Sequence, residues 1–143
     1  MTKRGIMSTG IVAIALVAGI WGMQHARAEG PAAAPAPAGF KRTELSRHDI
    51  SMPNHEAVTA RADFQPGAAV PKHTHPGEEV AYILEGELDL DVAGKPVQHL
   101  KAGDTFFLPA GTVHAAKNVG KGSAAVLSTY LVEKGKPLAT PVK

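Results

Sequence analysis

Apolar and polar positions alternate through most of the chain after residue 40, and the alternation predicts a succession of short strands. From Glu56 to Phe64 the apolar residues Val58, Ala60, Ala62 and Phe64 recur at every second position, and Pro66-Gly67 closes the run. A period of two places all four on one face of an extended chain. Leu88-Asp89-Leu90-Asp91-Val92 is the cleanest case, a half-buried strand with leucines inward and aspartates in water. Ala69 to His75, Val80 to Leu84, Pro96 to Leu100, Thr105 to Leu108, His114 to Val119 and Ala124 to Val132 read as further strands. Turn residues separate them: Glu85-Gly86, Ala93-Gly94, Ala102-Gly103-Asp104 and Pro109-Ala110-Gly111. Phe40 to Asn54 reads as irregular, anchored by Leu45 and Ile50, and Gly135 to Lys143 as a tail. No segment after Phe40 keeps a helical period with caps. The predicted class is all-β, a sandwich or barrel.

The first residues follow a different pattern. Lys3 and Arg4 precede an apolar run from Ile11 to Gly22, and Ala26-Arg27-Ala28 forms an A-x-A site. Residues 1–28 therefore read as a signal peptide, and the folded part as exported, periplasmic or secreted. The competing reading is an uncleaved anchor, because Gly5 to Ala26 contains no Lys, Arg, Asp or Glu. Its strongly apolar part is only about a dozen residues, short of the ~20 that a span needs. Residues 29–39 are a Pro/Ala-rich linker with nothing large to bury. Residues 40–143 form the expected domain.

Composition changes the picture in two places. The 143 residues carry a net charge of +2. Without residues 1–28, 12 Lys and Arg stand against 13 Asp and Glu, a net of −1. The basic balance thus belongs to the leader, and neither a nucleic-acid surface nor a membrane contact after signal cleavage is expected. Cysteine is absent, which excludes disulfides, thiolate catalysis and cysteine-ligated zinc.

The candidate chemistry lies in His73-Thr74-His75-Pro76-Gly77-Glu78-Glu79. Two histidines two residues apart on a strand point the same way, and a Pro-Gly bend can turn Glu79 towards them. His114, after the turn Pro109-Ala110-Gly111, offers another nitrogen. Imidazoles with one carboxylate suit a first-row divalent metal, and we read the four residues as one site. His48, His55 and His99 read as ordinary polar residues, Glu78 as a solvated charge, and Tyr82 and Tyr130 as packing.

The spacing resembles that of the cupin superfamily. Gly67, His73, His75, Glu79 and Gly86 (residues 67–86) match its first motif, and Gly103, Pro109, Gly111, His114 and Asn118 (103–118) its second. All ten motif positions match. The resemblance implies a small single-domain cupin: a jelly roll, or double-stranded β-helix barrel, holding one metal. It implies His73, His75, Glu79 and His114 as metal ligands, and Asn118 as a structural or supporting residue. The metal would be Fe, Mn, Ni, Cu, Co or Zn, and Glu79 could double as a catalytic base. Ala81, Ile83, Phe106 and Leu108 are the candidate cavity walls.

Three functional classes follow. The first is a metal-dependent oxidoreductase on a small organic substrate, of the quercetinase-like dioxygenase type. The others are a metal-dependent isomerase or lyase of a small carbohydrate or acid, and a non-catalytic protein that binds a metal or ligand. A homodimer joined through sheet edges is expected. Because ligating histidines must be neutral, metal release is expected below their ordinary pKa of about 6.5.

Overall fold

The computed structural model describes residues 37–143. The expected signal peptide and linker residues 29–36 lie outside them. Ten strands follow one another: β1 (Phe40–Asp49), β2 (His55–Phe64), β3 (Ala69–Thr74), β4 (Glu78–Glu85), β5 (Glu87–Val92), β6 (Gln98–Lys101), β7 (Thr105–Leu108), β8 (His114–Asn118), β9 (Ala124–Glu133) and β10 (Thr140–Pro141). They form two five-stranded sheets, ordered β1-β2-β9-β4-β7 and β10-β3-β8-β5-β6, and every pairing is antiparallel. The fold is an all-β jelly roll.

The alternating runs do what their period requires. In β2, Glu56, Val58, Ala60, Ala62 and Phe64 are buried while the residues between them are not. In β5, Leu88, Leu90 and Val92 are buried. Side chains from both sheets meet in one core, with Ala62, Phe64 and Ile83 from the first and Leu88, Leu90 and Val92 from the second. A smaller cluster joins Val58, Ala60, Tyr130 and Val132.

Three expectations change here. Phe40 to Asp49 is a ten-residue strand at a sheet edge rather than an irregular segment, with its register shifted between Glu44 and Ser46. Leu45 falls at that shift and is 56% exposed, so it anchors nothing. The tail is also structured. β10 pairs with β3, Val142 N–H donates to the Lys72 carbonyl at 2.9 Å, and Leu138 packs on the smaller cluster. Finally, β3 ends at Thr74, so His75 stands just beyond the strand.

His75, Pro76 and Gly77 carry the chain from β3 in one sheet to β4 in the other. The crossing is tight: a Cβ on Gly77 would lie 1.8 Å from the Leu131 carbonyl oxygen of β9. Backbone on both sides of that contact leaves no flexible side chain to give way. Gly77→Ala is therefore expected to lower stability by about 1–3 kcal/mol or more, as overpacking does. Urea unfolding of the two proteins measures this, and an unchanged midpoint would contradict the packing described. Gly86 serves at the next corner, where φ is +78° and Ala124 lies too close for a side chain.

Candidate metal centre

Strand register assembles the candidate residues. His73 and His114 are direct partners across β3 and β8. Glu79 of β4 lies between Leu108 of β7 and Tyr130 of β9. His75, at the crossing between sheets, reaches the same volume. The ring centroids of His73 and His114 lie 4.2 Å apart, those of His73 and His75 4.9 Å, and those of His75 and His114 5.1 Å. One nitrogen from each of the three falls within 4.8 Å of the others. Glu79 Oε2 stands 3.3 Å from His75 Nε2 and 3.5 Å from His114 Nε2. His75, His114 and Glu79 are buried, and His73 is half-buried.

The backbone orients all three rings. His73 Nδ1 lies 2.8 Å from the Pro71 carbonyl, His114 Nδ1 3.0 Å from that of Thr112, and His75 Nδ1 2.5 Å from that of Leu138. A carbonyl only accepts, so each Nδ1 carries the proton and each Nε2 keeps its lone pair for the centre. The Gly111 N–H also donates to the His75 carbonyl at 2.9 Å, fixing the crossing. Such outer contacts characterise metal-bound histidines.

This tautomer leaves a deficit at the centre. His75 Nε2 and Glu79 Oε2 are buried and have no hydrogen-bond partner. They face each other with lone pairs only, an arrangement that a cation would relieve. Three imidazole nitrogens and one carboxylate oxygen form a donor set that fits a divalent transition metal.

Electrostatics keep the donors in their binding forms. Burial pushes the His73 pKa down to about 4, against the pull of the Pro71 carbonyl and with the help of His114 and His75. Burial likewise lowers His114, against the Thr112 carbonyl and Glu79. For Glu79, burial acts upwards, while His75 in its protonated form, the Ser128 hydroxyl and protonated His114 act downwards and hold the carboxyl below its ordinary value. His73 therefore stays neutral well below pH 6.5 in the metal-free fold.

The sign for the metal-free protein follows from the same shifts. Between about 6.5 and 4 the unfolded chain takes up protons that folded His73 does not, so stability falls as pH falls through that window. Thermal melts of metal-free protein should drop across it, whereas bound metal should persist to about pH 5. Half-release of metal at neutral pH would contradict these shifts.

A cavity of about 660 Å³ opens onto the cluster. Of the expected walls, only Phe106 lines it; Ala81, Ile83 and Leu108 are packed into the core instead. Leu88, Leu90, Leu100, Val70 and Val126 are among its other apolar lining residues, a surface suited to an organic ligand. Tyr130, read from sequence as packing, also lines the cavity, its ring 4.7 Å from that of His75. Burial and Glu79 raise the pKa of its phenol, which stays protonated at neutral pH.

The other expected residues lie apart from the centre. Asn118 is fully buried and structural: its Nδ2 donates to the carbonyls of Phe64, Gln65 and Gly122, and its Oδ1 accepts from Gly120 N–H. His55 turns to the Pro53 carbonyl, and His99 to Asp89 on the surface. Tyr82 and His48 are exposed. Sequence reasoning missed the Leu138 carbonyl, Ser128 and Arg42, which also lines the cavity.

Comparison with known proteins agrees with this geometry. A family model described as a cupin domain matches residues 60–130. An RMLC-like cupin from Shewanella frigidimarina superimposes with a TM-score of 0.55 at 30% identity, over 67% of this chain and 78% of that one. The chain belongs to the cupin family. The solved structures also include an oxalate oxidase in complex with the substrate analogue glycolate, with a TM-score of 0.60 and 28% identity over 75% of this cupin and 57% of that chain. Among curated proteins, germin-like protein subfamily 2 member 2 of Arabidopsis thaliana is 46% identical over 76 residues. That match covers 50% of this cupin and 35% of the relative, so the chain spans about a third of that protein's length.

Proposed function

We propose that this cupin is an exported oxidoreductase that oxidises a small organic substrate at one divalent metal held by His73, His75, Glu79 and His114. The observation that carries the reading is the pair of buried, partnerless atoms, His75 Nε2 and Glu79 Oε2, set among three imidazoles whose Nδ1 protons are already committed. The likeness to an oxalate oxidase bound to glycolate favours a small oxygenated acid as substrate. The quercetinase-like form of the expectation gains no support from the relatives described above. Oxidation calls for a redox-active metal such as manganese, iron or copper, which would supply electron transfer and polarise the substrate's oxygens.

The protein's own groups have separate tasks. Glu79, held as a carboxylate, serves as an anionic ligand and is the group available as a catalytic base. The Tyr130 phenol keeps its proton beside His75 and bears on Glu79 and Ser128, helping to position the carboxylate. The apolar walls exclude water from the substrate's carbon skeleton. Export rests on the leader, and assembly as a homodimer on the sheet edges that an isolated chain leaves open.

Oxygen uptake tests the reading directly. Mature protein loaded with each redox metal would be screened against oxalate, glycolate and larger 2-hydroxy acids. Uptake that requires both acid and metal is the expected result. Turnover without oxygen consumption would move the protein to the isomerase or lyase class, and retention of ligand without turnover to the binding class.

A further inference from the structure

We propose that Arg42 is a specificity-determining residue of this cavity and that it selects an organic acid, pairing with the ligand's carboxylate while the apolar walls hold the ligand's body. This deepens the reading above and depends on it only for what the rest of the ligand meets at the histidine cluster.

Arg42 lies on β1, opposite Ala62 of β2, which in turn lies opposite Val126 of β9. Residues directly opposed in antiparallel strands share a face. Ala62 and Val126 both line the cavity, as does Arg42, so its side chain belongs to the cavity side of the sheet. The other arginines among the described residues are matched to acids: Arg47 contacts Glu44 and Glu56, and Arg61 contacts Asp63 and Glu85. Arg42 has no ion pair or hydrogen bond among the described residues. Its positive charge bears on the Tyr130 phenol, which stands beside His75. Arg42, which is exposed, and the histidine cluster therefore line one cavity, to which Tyr130 also contributes.

Chemistry then narrows the ligand. A guanidinium presents a planar fork of donors that fits a carboxylate with two parallel hydrogen bonds, and no alcohol or ketone matches it in charge or shape. Lys72, a further cation on the lining, favours the same sign of ligand. A cavity of about 660 Å³ with Phe106, Val126 and Leu90 on its walls exceeds the needs of a two-carbon acid. The class that fits is a carboxylate with an apolar body and a second oxygen, as in an aryl or branched 2-hydroxy acid.

Mandelate, with its carboxylate, hydroxyl and phenyl ring, and its neutral methyl ester are suitable probes. Calorimetric titration would compare the mature full-length protein with Arg42→Gln and Arg42→Lys, with metal content measured for each. Mandelate affinity should fall about tenfold or more in Arg42→Gln, since a charge-assisted pair is lost, and recover in part in Arg42→Lys. The weaker binding of the ester and the metal content should not change. Equal binding of mandelate by wild type and Arg42→Gln would overturn the proposal. So would an ester bound as tightly as the acid, or no binding of either probe. The two readings fail separately. Arg42-dependent mandelate binding in a wild-type protein that takes up no metal would sink the metal centre and leave this proposal standing. Stoichiometric metal with no effect at Arg42 would do the reverse.

Discussion

His75→Ala is expected to abolish stoichiometric metal binding while leaving both sheets folded. The side chain contributes a buried nitrogen with no other partner, so its loss removes a donor from the centre without breaking any strand pairing. His75 stands beyond the end of β3, and its backbone carbonyl still accepts from Gly111 N–H in the variant. Metal affinity should fall by well over the 10–100-fold typical of losing an outer hydrogen-bond partner, because here the ligand itself is removed. Equilibrium dialysis measures the loss, and circular dichroism checks the fold. Retention of one tightly bound metal per chain in His75→Ala would remove this residue from the site.

Removal of residues 137–143 should produce the second largest effect. The Leu138 carbonyl is the group that fixes the proton on His75 Nδ1 and aims Nε2 at Glu79. The same segment supplies β10 against β3 and covers Val58, Tyr130 and Val132 with Leu138. Without it His75 can change tautomer and rotate, so metal affinity should fall about 10–100-fold. The two main sheets keep their other pairings, and the truncated protein should still unfold cooperatively. Unchanged affinity after truncation would show that the tail only covers the surface.

Legibility from sequence differed by element for physical reasons. β2 and β5 announce themselves because one face is buried and the other is not, and the period of two survives along each strand. β1 did not. It is an edge strand whose inward positions include Arg42 at the cavity rather than apolar core residues, so the alternation vanishes. The tail was unreadable for a different reason. Its contribution to the site is a backbone carbonyl, which every residue possesses, and two prolines disguise the short pairing with β3.

The site shows the same division. His73, His75, Glu79 and His114 stood out by residue type and spacing; the fold brings the three histidine nitrogens within 4.8 Å of one another and sets Glu79 against His75 and His114. Tyr130 obeys the same alternation as the packed residues of β9, and only the register opposite Glu79 reveals that it faces the cavity. The cavity walls could not be assigned because Ala81, Ile83 and Phe106 differ in depth, which a strand pattern does not encode. Likewise, the lowered pKa of His73 was not legible, because its burial is a property of the fold.

Elemental analysis of the mature wild-type protein, purified without chelators, tests the metal centre most directly. One redox-active transition metal per chain is the predicted result. Absence of bound metal, both as purified and after incubation with manganese, iron or copper at neutral pH, would contradict it.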